Sequence, residues 1–297
     1  MNVVIKVNEE TKKKMIEYYK DKIREKTPPY AIFQAQEEDT IITLYNSGKC
    51  MFQGTSAFVD ANMWKAQKDE KEISDAVDYI NTTSVGSDEV GTGDYFGPLV
   101  VSACYVKKED VLFLKELGCT DSKKIDDEKI KKIAPEIIKK IKYKSLILQN
   151  SEYNEKYSKE NNLNKIKAIM HNKVLSAILE EIDEKPDYVI VDEFAKENRY
   201  YGYLNEIPNV VKDITFITKA ETKNLAVASA SIISRYIFLN EFDKLCDKYQ
   251  LPLPKGSGKN VDVIGEELVG KYGKEVLDDC AKKNFSNTSR ILRTRII

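Results

Sequence analysis

Between Ser87 and Leu99 the chain reads Ser-Asp-Glu-Val-Gly-Thr-Gly-Asp-Tyr-Phe-Gly-Pro-Leu, and no other stretch restricts the fold as much. β-like segments flank it, Thr83-Ser84-Val85 before and Leu99 to Val106 after. An acidic pair, Asp88-Glu89, therefore ends a core strand and runs straight into a Gly-x-Gly turn. A second turn at Gly97-Pro98 returns the chain to the core. Paired carboxylates beside glycines, where another backbone can come close, suit a divalent cation held against a phosphate.

The remaining elements extend that core. Helical patterns cover Asp126 to Ile141, Asn164 to Ile182 and Thr222 to Tyr249. Strands are expected at Ser145 to Gln149, Asp187 to Phe194 and Asp213 to Thr218. Strands first, then alternating strand and helix, imply an α/β fold with a mixed sheet covered by helices. Residues 1–66 read as a separate small α+β domain. It has strands at Val3–Val7, Tyr30–Gln36, Thr40–Tyr45 and Lys49–Gln53, a helix from Asn8 to Ile23 with Asn8 as cap, and a helix from about Ser56 to Ala66. Tyr18, Tyr19, Tyr30 and Phe52 are expected in its core. A charged linker at 67–78 leads to the larger domain, 79–297.

Composition removes several chemistries. The net charge of −1 argues against a uniformly basic nucleic-acid binder and leaves room for a local basic groove. Five scattered cysteines without a CxxC pair speak against zinc or a disulfide framework and for a reducing compartment. The N-terminus does not read as a secretory signal, no apolar run is long enough to span a membrane, and the cytoplasm is expected. With His171 as the single histidine, any His-dependent triad or metal site must use it, and catalysis is expected to rest on carboxylates and metal ions.

Two further acids stand at comparable positions. Asp192 ends the run Tyr-Val-Ile-Val, and Glu221 follows the strand at 213–218 just before the long helix. If the three strands are neighbours, four carboxylates share one small volume and need cations; oxygen-only ligands favour Mg²⁺ or Mn²⁺. In a regular strand Asp88 and Glu89 point to opposite faces, so a bulge or the longer reach of Glu89 is required. Each acid also has a plainer reading, as a surface pair, a turn former or a helix-dipole partner.

The blocks together resemble the type 2 ribonuclease H family, and within it the HIII branch. The resemblance rests on Gly86 to Pro98, Thr120-Asp121-Ser122-Lys123-Lys124, Asn164 to Ala168 with His171-Asn172, Val191-Asp192-Glu193-Phe194, Thr218 to Glu221, Val227 to Arg235 and Leu253-Pro254-Lys255-Gly256. It implies a ribonuclease H-like fold, Mg²⁺- or Mn²⁺-dependent cutting of RNA paired to DNA, and catalytic, metal-binding roles for Asp88, Glu89, Asp192 and Glu221. It also implies substrate contacts at Gly91, Thr92, Gly93, Ser122, Lys123, Lys124, Lys165 and Lys255, a monomeric enzyme, and an RNA–DNA hybrid as partner. The N-terminal domain is similar to half of a TATA-box-binding protein. Thr92 stands where the HII branch carries arginine, and Ser234 where alanine is usual. The lysines are equally readable as solvated surface, Ser229, Ser231 and Ser234 as close helix packing, and His171 as structural.

Overall fold

The computed structural model describes residues 2–37, 40–54, 56–65, 77–119 and 125–293. Of the expected linker, only residues 77 and 78 fall among them. The chain divides into two compact units, Met1–Val77 and Asp78–Ile297.

The first unit is a four-stranded antiparallel sheet carrying two helices. Its elements are β1 (Asn2–Lys6), α1 (Glu9–Tyr19), β2 (Ala31–Glu37), β3 (Thr40–Tyr45), β4 (Lys49–Gly54) and α2 (Ala57–Lys65), in sheet order β1-β4-β3-β2. Asn8 caps α1 by accepting from the Thr11 amide at 2.8 Å, as its residue type predicts. Strand alternation sends Ile5, Phe33, Ala35, Ile42, Leu44, Cys50 and Phe52 to one face, where Met15, Tyr19 and Trp64 cover them. Two of the expected core aromatics are not there. Tyr18 is 49% and Tyr30 85% exposed, because Tyr18 lies one residue off the buried stripe of α1 and Tyr30 sits in the turn before β2.

The second unit contains β5 (Ser84–Val90), β6 (Leu99–Val106), α3 (Val111–Glu116), α4 (Asp127–Lys140), β7 (Lys142–Leu148), α5 (Asn150–Lys156), α6 (Leu163–Leu179), β8 (Tyr188–Asp192), α7 (Glu197–Tyr203), β9 (Ile214–Ile217), α8 (Leu225–Tyr249), α9 (Lys259–Tyr272), α10 (Val276–Cys280) and α11 (Ser286–Arg293). Its sheet runs β7-β6-β5-β8-β9. β6 runs antiparallel to both its neighbours, β7 and β5, and β8 and β9 run parallel to β5. α6 packs on one face of this sheet, and α8, backed by α4, on the other. The C-terminal helices close a further apolar cluster around Tyr95, Phe96, Phe238 and Phe242.

Two local devices fix α8 against β5. Asn224 accepts from the amides of Ala226 and Val227 and donates to Ser84 Oγ at 2.8 Å, so one side chain caps the helix and ties it to the strand. At Gly86 an added Cβ would lie 2.5 Å from the Val227 amide nitrogen, so only glycine lets helix and strand come this close.

Candidate active site

β5 is a regular strand through the acidic pair: Asp88 pairs with Ser102, Glu89 with Val101 and Val90 with Val100. Of the two ways considered for both acids to reach one centre, the bulge is absent, and the pair lies within the strand rather than at its end. Alternation therefore holds. Val85, Ser87 and Glu89 face α6, while Ser84, Gly86 and Asp88 face α8.

The parallel partner β8 carries the second aspartate. Its register pairs Gly86 with Ile190 and Ser87 with Val191, so one step on Asp88 and Asp192 stand side by side on the α8 face. Neighbouring strands put their Cα atoms roughly 5 Å apart. Asp192 Oδ1 accepts from the Ala220 amide at 3.0 Å, which anchors the short turn Ala220–Thr222 that carries the buried Glu221. Topology thus brings Asp88 and Asp192 to neighbouring strands on one face, and the Ala220 amide links Asp192 to the turn that carries Glu221.

Glu89 is held on the other face. Its Oε1 pairs with Lys167 Nζ, and its Oε2 lies 2.9 Å from His171 Nε2. His171 is fully buried, its Nδ1 is 2.8 Å from Ser87 Oγ, and its ring stacks on Phe194. The Lys167 ammonium also sits 3.9 Å from the centre of the Phe194 ring.

The electrostatics follow from these placements. Burial first, and then the charges of Glu89 and Asp192, push the Asp88 carboxyl up to about 8 against the hydrogen bond from Ser231. Burial also pushes Glu89 upward, yet His171 and Lys167 outweigh it and hold that carboxyl at about 2. Free Asp ionises near pH 3.9, so between about 4 and 8 the folded protein holds a proton on Asp88 that the unfolded chain has released. This group's stabilising contribution is complete below pH 4 and is lost as pH rises through 8. In EDTA, thermal melts should therefore show wild type losing more stability between pH 6 and 9 than Asp88→Asn. A saturating divalent cation should remove the difference. Equal losses in both proteins in EDTA would exclude a raised Asp88.

Four carboxylates, all hard oxygen donors, fit Mg²⁺ or Mn²⁺ and not zinc. Among the described residues no three acids, histidines or cysteines already enclose a cation position. The expected gathering of four carboxylates in one volume is therefore not formed: Asp88 and Asp192 share one face, and Glu89 is held by Lys167 and His171 on the other.

Beyond Val90 comes the glycine turn, and its two glycines differ. Gly91 has φ +98°, and an added Cβ would strike Pro98 O at 2.2 Å, so the fold itself requires it. Gly93 is exposed and nothing approaches within 4 Å. Thr92 between them is half-buried. Of the lysines, Lys165 lies 3.7 Å from Glu206, and Lys255 pairs with Asp127, which also accepts from Arg235. Ser122, Lys123 and Lys124 lie outside the described residues. Sequence reasoning assigns no role to Lys167 and only a packing one to Ser231. Lys167 and His171 are four residues apart, one face of a helix, and that spacing was the available signal. Ser231 was read as packing, yet it bonds the Asp88 carboxylate, while Ser234 Oγ donates to Asp88 O at 3.1 Å.

Residues 85–288 match the ribonuclease HII family, and residues 2–76 match a domain of unknown function. A ribonuclease HIII of Bacillus cereus is 42% identical over 98% of both chains. The chain belongs to the ribonuclease HIII family. Members of this family are endonucleolytic hydrolases of the ribonuclease H type, and so is this chain. The crystal structure of Bst-RNase HIII in complex with Mn²⁺ superposes with a TM-score of 0.72 at 35% identity, covering 100% of this chain and 99% of that one. Aquifex aeolicus RNase H3 gives 0.57 at 25% identity over 95% and 99%. The ribonuclease H2 of Pyrococcus horikoshii, 23% identical with a TM-score of 0.60, covers 72% of this chain and shares its fold.

Proposed function

We propose that this enzyme hydrolyses the RNA strand of RNA–DNA hybrids with Mg²⁺ or Mn²⁺, by a two-metal mechanism that leaves 5′-phosphate and 3′-hydroxyl ends. The observation that carries the reading is the parallel register of β5 and β8, which ends at Ser87 with Val191 and so leads to Asp88 and Asp192 on neighbouring strands. Asp88, Asp192, Glu221 and Glu89 are the residues that would hold the cations. Bound there, two divalent ions supply the charge that activates a water and stabilises the leaving oxygen. The protein's own part is orientation. Ser231 and Ser234 fix Asp88 from α8, the Ala220 amide fixes Asp192, and Lys167 with His171 hold Glu89.

Hybrids are recognised by near-A-form shape and by 2′-hydroxyls. The exposed, unobstructed backbone at Gly93, next to the acids in sequence, suits contact with a ribose edge. Thr92 in place of an arginine supports a preference for runs of RNA over single embedded ribonucleotides. Lys123, Lys124, Lys165 and Lys255, with Ser122, are the proposed phosphate contacts. A monomer in the cytoplasm agrees with five free cysteines.

The test compares a uniform hybrid with a duplex carrying one ribonucleotide, each with Mg²⁺, Mn²⁺ or EDTA. Cleavage of the hybrid to 5′-phosphate ends, absent in EDTA, is the expected result. Preferential cutting at the single ribonucleotide would favour an HII-like junction enzyme, and binding without metal-dependent cleavage a non-catalytic hybrid binder. Gly93→Val should leave the melting temperature unchanged and raise KM for the hybrid about tenfold, since the added side chain meets only substrate.

A further inference from the structure

Lys282 is a lysine that packing alone does not explain. It is fully buried behind the glycine turn, at the start of the segment joining α10 to α11. Its ammonium donates to the main-chain carbonyls of Asp94, at 2.9 Å, and Gly97. Burial brings its pKa down to about 7, against the Asp94 carboxylate, which favours the charged form. An apolar side chain of similar length would fill the space without that penalty. What the ammonium adds is a fixed grip on two carbonyls of one loop.

The rest of that loop is stitched down around the same point. The Lys282 amide donates to Tyr95 O at 2.8 Å and the Gly97 amide to Cys280 O at 3.0 Å. Asp94 Oδ1 accepts from the Gly256 amide at 2.6 Å, and the Tyr95 amide donates to Gly256 O at 2.8 Å. Asn150 gives Gly97 O a second donor at 2.9 Å. The inner half of the loop is thus pinned through carbonyls, while its outer half, Thr92-Gly93, is left facing outward.

We infer that Lys282 and Asp94 are positioning residues: they clamp the base of the 91–97 loop so that its outer turn is presented to substrate at a fixed place. This rests on the reading of that turn as a substrate contact. Neither residue touches the reacting atoms, so the loss should fall on recognition and not on chemistry.

Lys282→Met keeps the length and the apolar stem and removes the donors. It is expected to raise KM for an RNA–DNA hybrid about tenfold with kcat within about twofold. The salt slope of hybrid binding should not change, because no phosphate contact is lost. A folded Lys282→Met with wild-type KM overturns the inference. So does a loss of kcat that tracks a falling folded fraction. Should Lys282→Met not fold, Asp94→Ala decides. Its side chain is half-exposed, and its loss removes the bond to the Gly256 amide and the charge beside the Lys282 ammonium, so KM should rise with kcat retained, and an unchanged KM overturns the clamp. Gly93→Val separates the two ideas. KM sensitive to Gly93→Val but not to Lys282→Met overturns the clamp alone, and KM insensitive to both removes the turn from recognition.

Discussion

Asp192→Asn is expected to lower kcat/KM on a uniform hybrid by about a thousandfold or more, while hybrid binding measured in EDTA changes by less than about threefold. The substitution keeps the shape of the side chain and the oxygen that accepts from the Ala220 amide, so the turn carrying Glu221 stays in place. What disappears is the charge beside Asp88. Two consequences can be measured apart from turnover. Mn²⁺ affinity should fall, because one of the two carboxylates that follow the paired residues Ser87 and Val191 is gone. The Asp88 carboxyl should shift down only slightly, because burial and the Glu89 charge, the larger causes of its raised pKa, both remain. Retention of more than about a tenth of the wild-type rate would remove Asp192 from the metal-binding set.

The largest stability effect should come from one methyl group. Gly86→Ala puts a carbon 2.5 Å from the Val227 nitrogen and 2.8 Å from the Ala226 carbonyl carbon, atoms of backbone that no rotamer change can move. α8 must lift from β5. We expect a destabilisation of about 3 kcal/mol or more, a melting temperature lower by about 6–12 °C. Because Ser231 and Ser234 hold Asp88 from the same helix, activity should fall even in the fraction that remains folded. Calorimetry and turnover per folded molecule separate the two effects, and a wild-type melting temperature would mean that helix and strand are not in this contact.

Much of the core was legible because its elements carry their own signals. β3 and β6 match the expected strands at both ends, Asp126 caps α4 as its position implies, and Asn8 caps α1. Short helices without an amphipathic stripe, at 150–156 and 197–203, were not seen, since two turns are too few to show a period. At the site, the sequence suggests which acids matter but not how they are held. Alternation predicts that Asp88 and Glu89 diverge, and they do. It does not reveal that β5 stays regular, because straightness is set by the β6 ladder, nor that Lys167 and His171 wait on the far face, because that depends on how α6 crosses the sheet. The glycine turn reads as two equivalent glycines; only packing against Pro98 and Phe238 tells the obligatory one from the open one.

The long helix α8 has a metrical consequence. Ser231 on it bonds Asp88, and Phe238, seven residues along, lies against Gly91 and Gly97 at the foot of the turn. Those two points are about 10 Å apart along one rigid rod. The helix is therefore a ruler between the place where a strand would be cut and the place where it would be gripped. A one-residue insertion between Ser231 and Phe238 would change that calibration by about 100° of rotation as well as in length, so the offset from gripped sugar to cut phosphate is written into the count of residues in α8.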